Sequence, residues 1–558
     1  MRVVAGKFLE CVACRECGNY HEARSPQTNP SWIPSRFQDG DCPLGRCPPP
    51  WGLDGGRRAR FRVGGGSWWL PAQGPFLPME HASSLALPAA KPTRVRYGVL
   101  AFAASLSMIT YLDRVCISSG QSNIIHDLGL QSEADLKWVF ALFTLAYSIF
   151  EVPTGWLGDV IGPRKVLIRI VLWWSFFTAV TGVIGLRVGG FVLGGVVTLA
   201  IVRFLFGMGE AGAYPNITRA LHNWFPLQER GLAQGTVWMS ARLMGGLTPL
   251  VWALLVEGLH WPGSQTGATF GGWLHWRATF WLFGALGVVW CVFFAFWFRD
   301  RPEKKASVNA AELALIRASA AESEAGHARV PWMRLIASGN LWALCLMYFC
   351  QAYGWYFYIT YLPRFLEDQY GVAKTSVLGA IYKGGPLWMG AIGCLVGGFI
   401  TDWLVRRLGR RRGRKWIGAF GHAACMACFL LCPFMPSALT FFLAISFAGF
   451  SADLTMGSSW ATCQDIGRRY AAIVAGFMNM IGNFGGFVAI VISGFVLDYG
   501  KSVHAAKLGT TSQLLSGSDL TAGLMIGYQI NFLVFAAIYV VGVLCWLRID
   551  ASKPIVGE

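Results

Sequence analysis

Apolar residues along this chain gather into runs longer than a soluble helix or strand needs, and the polar residues collect between them. Twelve such runs lie near 97–118, 136–157, 165–186, 191–213, 231–256, 275–298, 341–362, 378–402, 416–435, 438–460, 471–497 and 523–547. Each has the roughly 20-residue length that crosses the hydrocarbon core of a bilayer as a helix. The third and fourth are parted only by Arg187 and glycines. The expected fold class is therefore an all-α polytopic membrane protein with 12 transmembrane helices. Composition agrees, because only 14% of residues are charged and 54% are hydrophobic, whereas soluble domains are about a quarter charged.

Charge placement changes the picture further. The net charge of +17 would point to nucleic acid in a soluble protein, but here the basic residues fall between apolar runs. They mark membrane orientation, and no nucleic-acid partner is expected. Basic groups crowd the segment before the first run (Lys91, Arg94, Arg96), the second-to-third loop (Arg164, Lys165, Arg169) and the long middle loop. Between the eighth and ninth runs comes RRLGRRRGRK, with seven basic residues in ten positions. The alternate loops are poor in Lys and Arg. By the positive-inside bias both termini should be cytoplasmic, which requires an even number of spans.

Residues 299–335 form the longest polar stretch between runs and divide the twelve into six and six. The expected organisation is a cytoplasmic tail over 79–96, a six-helix bundle over 97–298, a linker over 299–340, a second six-helix bundle over 341–547 and a tail over 548–558. Within the linker, VNAAELALIRAS has helical spacing and predicts a short cytoplasmic surface helix. The halves share a signature. GWLGDVIGPRK (155–165) leaves the second run and GFITDWLVRRLGRRRGRK (398–415) leaves the eighth, each with glycine, three residues, aspartate and a basic cluster. Internal repetition of this kind occurs in secondary transporters, with the substrate site between repeats near the midplane.

Residues 1–78 are unlike the rest, rich in Pro, Gly and Arg without an apolar period, and they read as a disordered or non-native extension. Met79 is the expected functional start. Cys11, Cys14 and Cys17 have zinc-like spacing, but they do not complete a recognisable finger, and no metal or cofactor is expected. The cysteines within the runs read as small apolar packing residues. GFVLDYGKS (494–502) has five residues between its glycines where a phosphate loop has four, and it carries no nucleotide site.

Several charges interrupt the apolar runs. YLDR (111–114) puts Asp113 beside Arg114, with Tyr111 and Arg114 on one helical face and Asp113 about 100° away. In RFLFGMGEAGAYP, Arg203 and Glu210 are two helical turns apart and share a face. Glu151, Arg242 and Asp453 also fall inside runs, without an assigned role. Each ionised group at bilayer depth costs roughly 2.5–3.5 kcal/mol on insertion scales. Acid and base on two helices of one half therefore point to a functional site facing the interior.

These stretches, with WFPLQERGLAQG (224–235), VNAAELALI (308–316), YFYITYLP (356–363), SSWATCQDIGRRYA and GFMNMIGNFGG (458–486), resemble the major facilitator superfamily in its anion:cation symporter branch. The resemblance spans residues 94–550, and the order of the motifs matches. It implies two six-helix bundles in a cell (inner) membrane, importing a small anionic substrate with protons, most closely a hexuronate, galactonate or glucarate. Another carboxylate (an aromatic acid or a dicarboxylate) and a non-transporting sensor of the same fold remain open. It implies substrate contacts from Arg114 and Arg203, aromatic lining from Tyr111 and Tyr147, and further contacts from Gln351, Trp460 and Asn479. Asp113 and Glu210 match proton carriers. Asp159, Arg164 and Asp402 are expected to gate the cytoplasmic face by pairing among aspartates and loop bases. A monomer without enzymatic activity is expected. Glu151 departs from the neutral amide more usual at its position, and the loop 257–276 is longer than usual.

Overall fold

The computed structural model describes residues 61–63, 66–68, 91–130, 136–260, 269–318, 330–372 and 377–556. The cysteines of the N-terminal segment and Met79 lie outside the described residues. Two compact units separate at Ala86 and Leu87. In the first, Phe61–Val63 pairs antiparallel with Gly66–Trp68. The second is helical.

Its first half consists of α1 (Val95–Ser119), α2 (Gln121–Leu128), α3 (Lys137–Ile161), α4 (Pro163–Thr181), α5 (Val196–Glu210), α6 (Ala213–Trp224), α7 (Arg230–Trp252) and α8 (Trp276–Trp297). Two short helices, α9 (Ala310–Arg317) and α10 (Trp332–Ile336), lie in the linker. The second half holds α11 (Gly339–Thr360), α12 (Leu362–Tyr370), α13 (Val377–Leu431), α14 (Ala438–Asp453), α15 (Met456–Gly467), α16 (Ala471–Lys507) and α17 (Gly517–Arg548).

Among the described residues, 8 continuous helical stretches are long and apolar enough to cross a membrane. Two of them double back. Asp402 and Arg414 approach to 3.6 Å, although twelve residues of straight helix would hold them about 18 Å apart. The reversal falls at Gly409, whose φ of 77° only glycine adopts without strain. In the other, Cys463 and Met478 bring their sulfurs to 3.5 Å across the turn at Arg468. Counting both reversals, with α4 and α11, the described residues hold twelve long helical segments, the number in a fold of two six-helix bundles. The outer faces expose apolar side chains such as Phe176, Phe293, Phe420 and Phe495, as lipid contact demands.

The repeated GxxxD signature has a structural reason. Asp159, near the end of α3, accepts hydrogen bonds from the backbone N–H groups of Ala472 (3.2 Å) and Ile473 (2.8 Å), in the first turn of α16. Asp402 on α13 accepts from Gly231 (2.8 Å) and Leu232 (2.7 Å), in the first turn of α7. Each carboxylate thus caps a helix N-terminus of the opposite half, where unpaired N–H groups and the helix dipole favour an anion. The glycine four residues earlier lies on the same face and permits the approach. A Cβ on Gly155 would sit 2.6 Å from the Ala472 carbonyl oxygen, and one on Gly398 would sit 2.7 Å from that of Gly231. The two halves are therefore clasped at this end by two equivalent contacts.

The helix expected in the linker is α9, started by Asn309, whose side chain accepts from the N–H of Glu312 at 2.8 Å. It is less superficial than its spacing implied, because Glu312 is fully buried. Its carboxylate accepts from Thr93 Oγ1 (2.6 Å), the N–H of Val95 and of Arg96 (both 3.2 Å) and Arg96 Nη1 (3.1 Å). Glu312 therefore caps the first transmembrane helix from more than 200 residues away in sequence. Glu312→Ala should cost about 1–3 kcal/mol and lower the thermal midpoint of the purified protein, while Glu312→Gln, which keeps one acceptor, should lose less. Equal midpoints for all three proteins would contradict the capping role.

Candidate functional site

The charged turn of α1 packs against the end of α5. Arg114 donates from Nε (3.2 Å) and Nη2 (2.7 Å) to Glu210 Oε1, with Glu210 fully buried. The guanidinium also lies 4.5 Å from the centre of the Tyr147 ring and 5.6 Å from that of Tyr111, so the ion pair sits in an aromatic cradle. Asn479 of the second half donates to Glu151 Oε1 at 2.5 Å and to the Tyr147 hydroxyl at 3.4 Å. Tyr111, Arg114, Tyr147, Glu210 and Asn479, five of the expected site residues, thus form one continuous cluster, and Glu151 joins it.

Asp113 and Arg203 make a different environment. Neither Asp113 oxygen has a hydrogen-bond partner among the described residues, and neither does Arg203 Nε. The Arg203 guanidinium lies 4.2 Å from the Phe206 ring centre and 5.0 Å from that of Phe143. Although Arg203 and Glu210 share a helix face, the hydrogen-bonded partner of Glu210 is Arg114.

A second ion pair links the halves. Arg242 on α7 grips Asp453 on α14 with two parallel bonds, Nε to Oδ2 at 2.7 Å and Nη2 to Oδ1 at 3.1 Å. Its third donor, Nη1, bonds the Tyr111 hydroxyl at 3.0 Å. The sequence shows both charges within apolar runs but not their pairing, which needs the two halves to meet. GEAGA (209–213) and SADLT (451–455) each hold a helix break just after an acid. Glu210 is the last residue of α5 and Asp453 the last of α14, and Gly212 has a φ of 82°.

Around this pair stands an aromatic wall. Tyr214 stacks on Trp238 at 4.3 Å, and Trp238 lies 5.1 Å from Trp460. Trp460 Nε1 donates to the Tyr348 hydroxyl at 3.2 Å. Trp460 therefore belongs to the interface between halves, with its polar atom engaged. Gln351 is engaged within its own half, donating to the Ala452 carbonyl (3.1 Å) and accepting from Thr455 (3.0 Å), where it steadies the α14–α15 break.

Asp159 and Asp402 sit apart from this cluster, at the clasped end. Their basic neighbours are Arg219, 3.5 Å from Asp159, and Arg414, 3.6 Å from Asp402. Arg230 and Arg414 converge on Asp465, at 3.0 and 3.1 Å. Arg164 takes no part in these contacts. Its backbone N–H donates to Asp300 (2.8 Å) and its guanidinium to the Ala295 carbonyl, which ties it to the end of α8 in its own half. No group of three His, Cys, Asp or Glu among the described residues is placed to hold a metal ion.

The geometry of two helical halves around a buried charge cluster has known counterparts. Residues 103–490 match the Major Facilitator Superfamily model. The chain is 31% identical over 440 residues to the probable sulfoacetate transporter SauU of Cupriavidus necator, covering 78% of this chain and 94% of that protein. It is 27% identical over 449 residues to the probable galactarate/D-glucarate transporter GudP of Escherichia coli, covering 77% and 93%. The crystal structure of the Escherichia coli fucose:proton symporter FucP shares the fold with a TM-score of 0.57 at 12% identity, over 82% of this chain and 100% of that one. The extent of the family match, together with the twelve long helical segments, establishes that this chain belongs to the Major Facilitator Superfamily.

Proposed function

We propose that the chain is a proton-coupled symporter that imports a small organic anion across a cell membrane by alternating access. The observation that carries this reading is the buried Arg114–Glu210 pair, a guanidinium whose carboxylate partner a substrate carboxylate can replace. Three buried or half-buried guanidiniums (Arg114, Arg203, Arg242) face four buried carboxyls (Asp113, Glu151, Glu210, Asp453). Fully ionised, the set carries one net negative charge and repels an anion. Two neutral carboxyls turn it to one net positive charge. Anion entry and proton uptake are therefore coupled by charge balance, with Glu210 and Asp113 as the first carriers.

Relatives named for sulfoacetate and for galactarate/D-glucarate support a carboxylate-bearing substrate, with sugar acids as the leading class. In this reading Tyr111, Tyr147 and Asn479, gathered around Arg114, contact the substrate, and Arg203 offers a further guanidinium to it. By the positive-inside bias, the basic residues around Asp159 and Asp402 support a cytoplasmic position for the clasped end. Release to the cytoplasm then requires both caps to open, so Asp159 and Asp402 act as gates, and Arg164 anchors the loop beside them. The functional unit is a monomer of two bundles, over 97–298 and 341–547.

Uptake of labelled sugar acids and sulfoacetate into proteoliposomes, with and without an inward proton gradient, tests the reading. Glu210→Gln should still bind substrate and exchange it across the membrane, yet lose at least tenfold in accumulation; full accumulation would leave Glu210 a structural role alone. Asp402→Asn should slow turnover about tenfold, the effect of losing a charge-assisted cap, with substrate Kd held within a few-fold. Equal losses of affinity and turnover would remove the gating role.

A further inference from the structure

Two buried guanidinium–carboxylate pairs flank Tyr111, and they are built alike. In each, the acid ends an interrupted helix: Glu210 closes α5 and Asp453 closes α14. In each, an arginine from a neighbouring helix holds that acid, Arg114 from α1 and Arg242 from α7. A carboxylate at a helix C-terminus opposes the helix dipole, so both acids depend on their arginines. Interrupted helices at corresponding positions of two halves are where transporters build their substrate sites. The two guanidiniums lie on either side of a single tyrosine, one over its ring and the other on its hydroxyl.

We infer that Arg242 is a second anion receptor, and that the favoured substrate is a short dianion held at one end by Arg114 and at the other by Arg242. This rests on the transport reading above and names its substrate class: a dicarboxylate, or a carboxylate that also carries a sulfonate. The planar fork of Arg242 already holds two oxygens in parallel, the arrangement that a carboxylate or sulfonate replaces atom for atom. One turn earlier on the same face of α7, the Trp238 Nε1–H is buried with no acceptor among the described residues. It is a donor standing next to the receptor. A permanent ion pair joining the halves at this depth would oppose their rocking, whereas a pair that substrate opens does not. Sulfoacetate and galactarate/D-glucarate, which give two relatives their names, are dianions, whereas L-galactonate and hexuronate, which name two others, are monoanions.

The test measures binding to the purified full chain of two dianions, D-glucarate and sulfoacetate, and two monoanions, L-galactonate and glucuronate. At least one dianion should bind more tightly than both monoanions. The double variant Arg242→Gln, Asp453→Asn removes both charges together and leaves no unpaired ion in the interior. In it the dianion-to-monoanion affinity ratio should fall roughly 30-fold. Monoanions that bind as tightly as the dianions to the unmutated protein, or a ratio that the double variant leaves unchanged, would overturn the inference with the transport reading intact. Failure of all four anions to bind the unmutated protein would overturn that reading and this inference with it.

Discussion

A guanidinium in an apolar interior has to meet a carboxylate, and much of this structure follows from that requirement. Breaking a buried pair by removing one partner costs about 3–5 kcal/mol, so the helices that carry the charges are fixed in rotation relative to one another. Arg114 orients α1 toward Glu210, and Arg242 orients α7 toward Asp453 in the other half. The apolar faces that remain turn outward. Four buried carboxyls against three guanidiniums leave the set sensitive to every proton and every anion that enters, which is a poor design for a static core and a suitable one for a coupled carrier.

The second organising feature is repetition. Each half sends an aspartate to cap the first turn of a helix in the other, at Ala472 and Ile473 in one case and Gly231 and Leu232 in the other. Each half also breaks a helix just after an acid. In the proposed cycle these features divide the labour. The caps hold one end shut, and the acids at the breaks report whether anion and protons are in place. The link between them runs through rigid helices, since α7 begins at the Asp402 cap and carries Arg242 about three turns later.

Much of the architecture was legible in the sequence because bilayer thickness imposes a length on every run. The GxxxD signature was legible as a repeat, but its partners were not. The aspartates were expected to pair with loop bases, while their main contacts are backbone N–H groups, which carry no sequence signal. Arg164 looked equivalent to the other bases beside Asp159, yet a carbonyl of α8 and Asp300 claim it first. The Arg114 cluster was readable because its charges lie on two helices of one half. Arg242 and Asp453 were visible only as unexplained charges, since 211 residues separate them. Gln351 was expected among substrate contacts, but both ends of its amide serve the break beside it.

The central claim is that an anion enters only when carboxyls of the buried set are neutral, so binding must draw protons from solution. Proton uptake can be read directly with a pH-indicator dye as substrate is added to the purified protein in weakly buffered solution. The account predicts at least one proton taken up for each anion bound, and a substrate affinity that strengthens as pH falls. Binding that takes up no protons, with an affinity unchanged by pH, would contradict it.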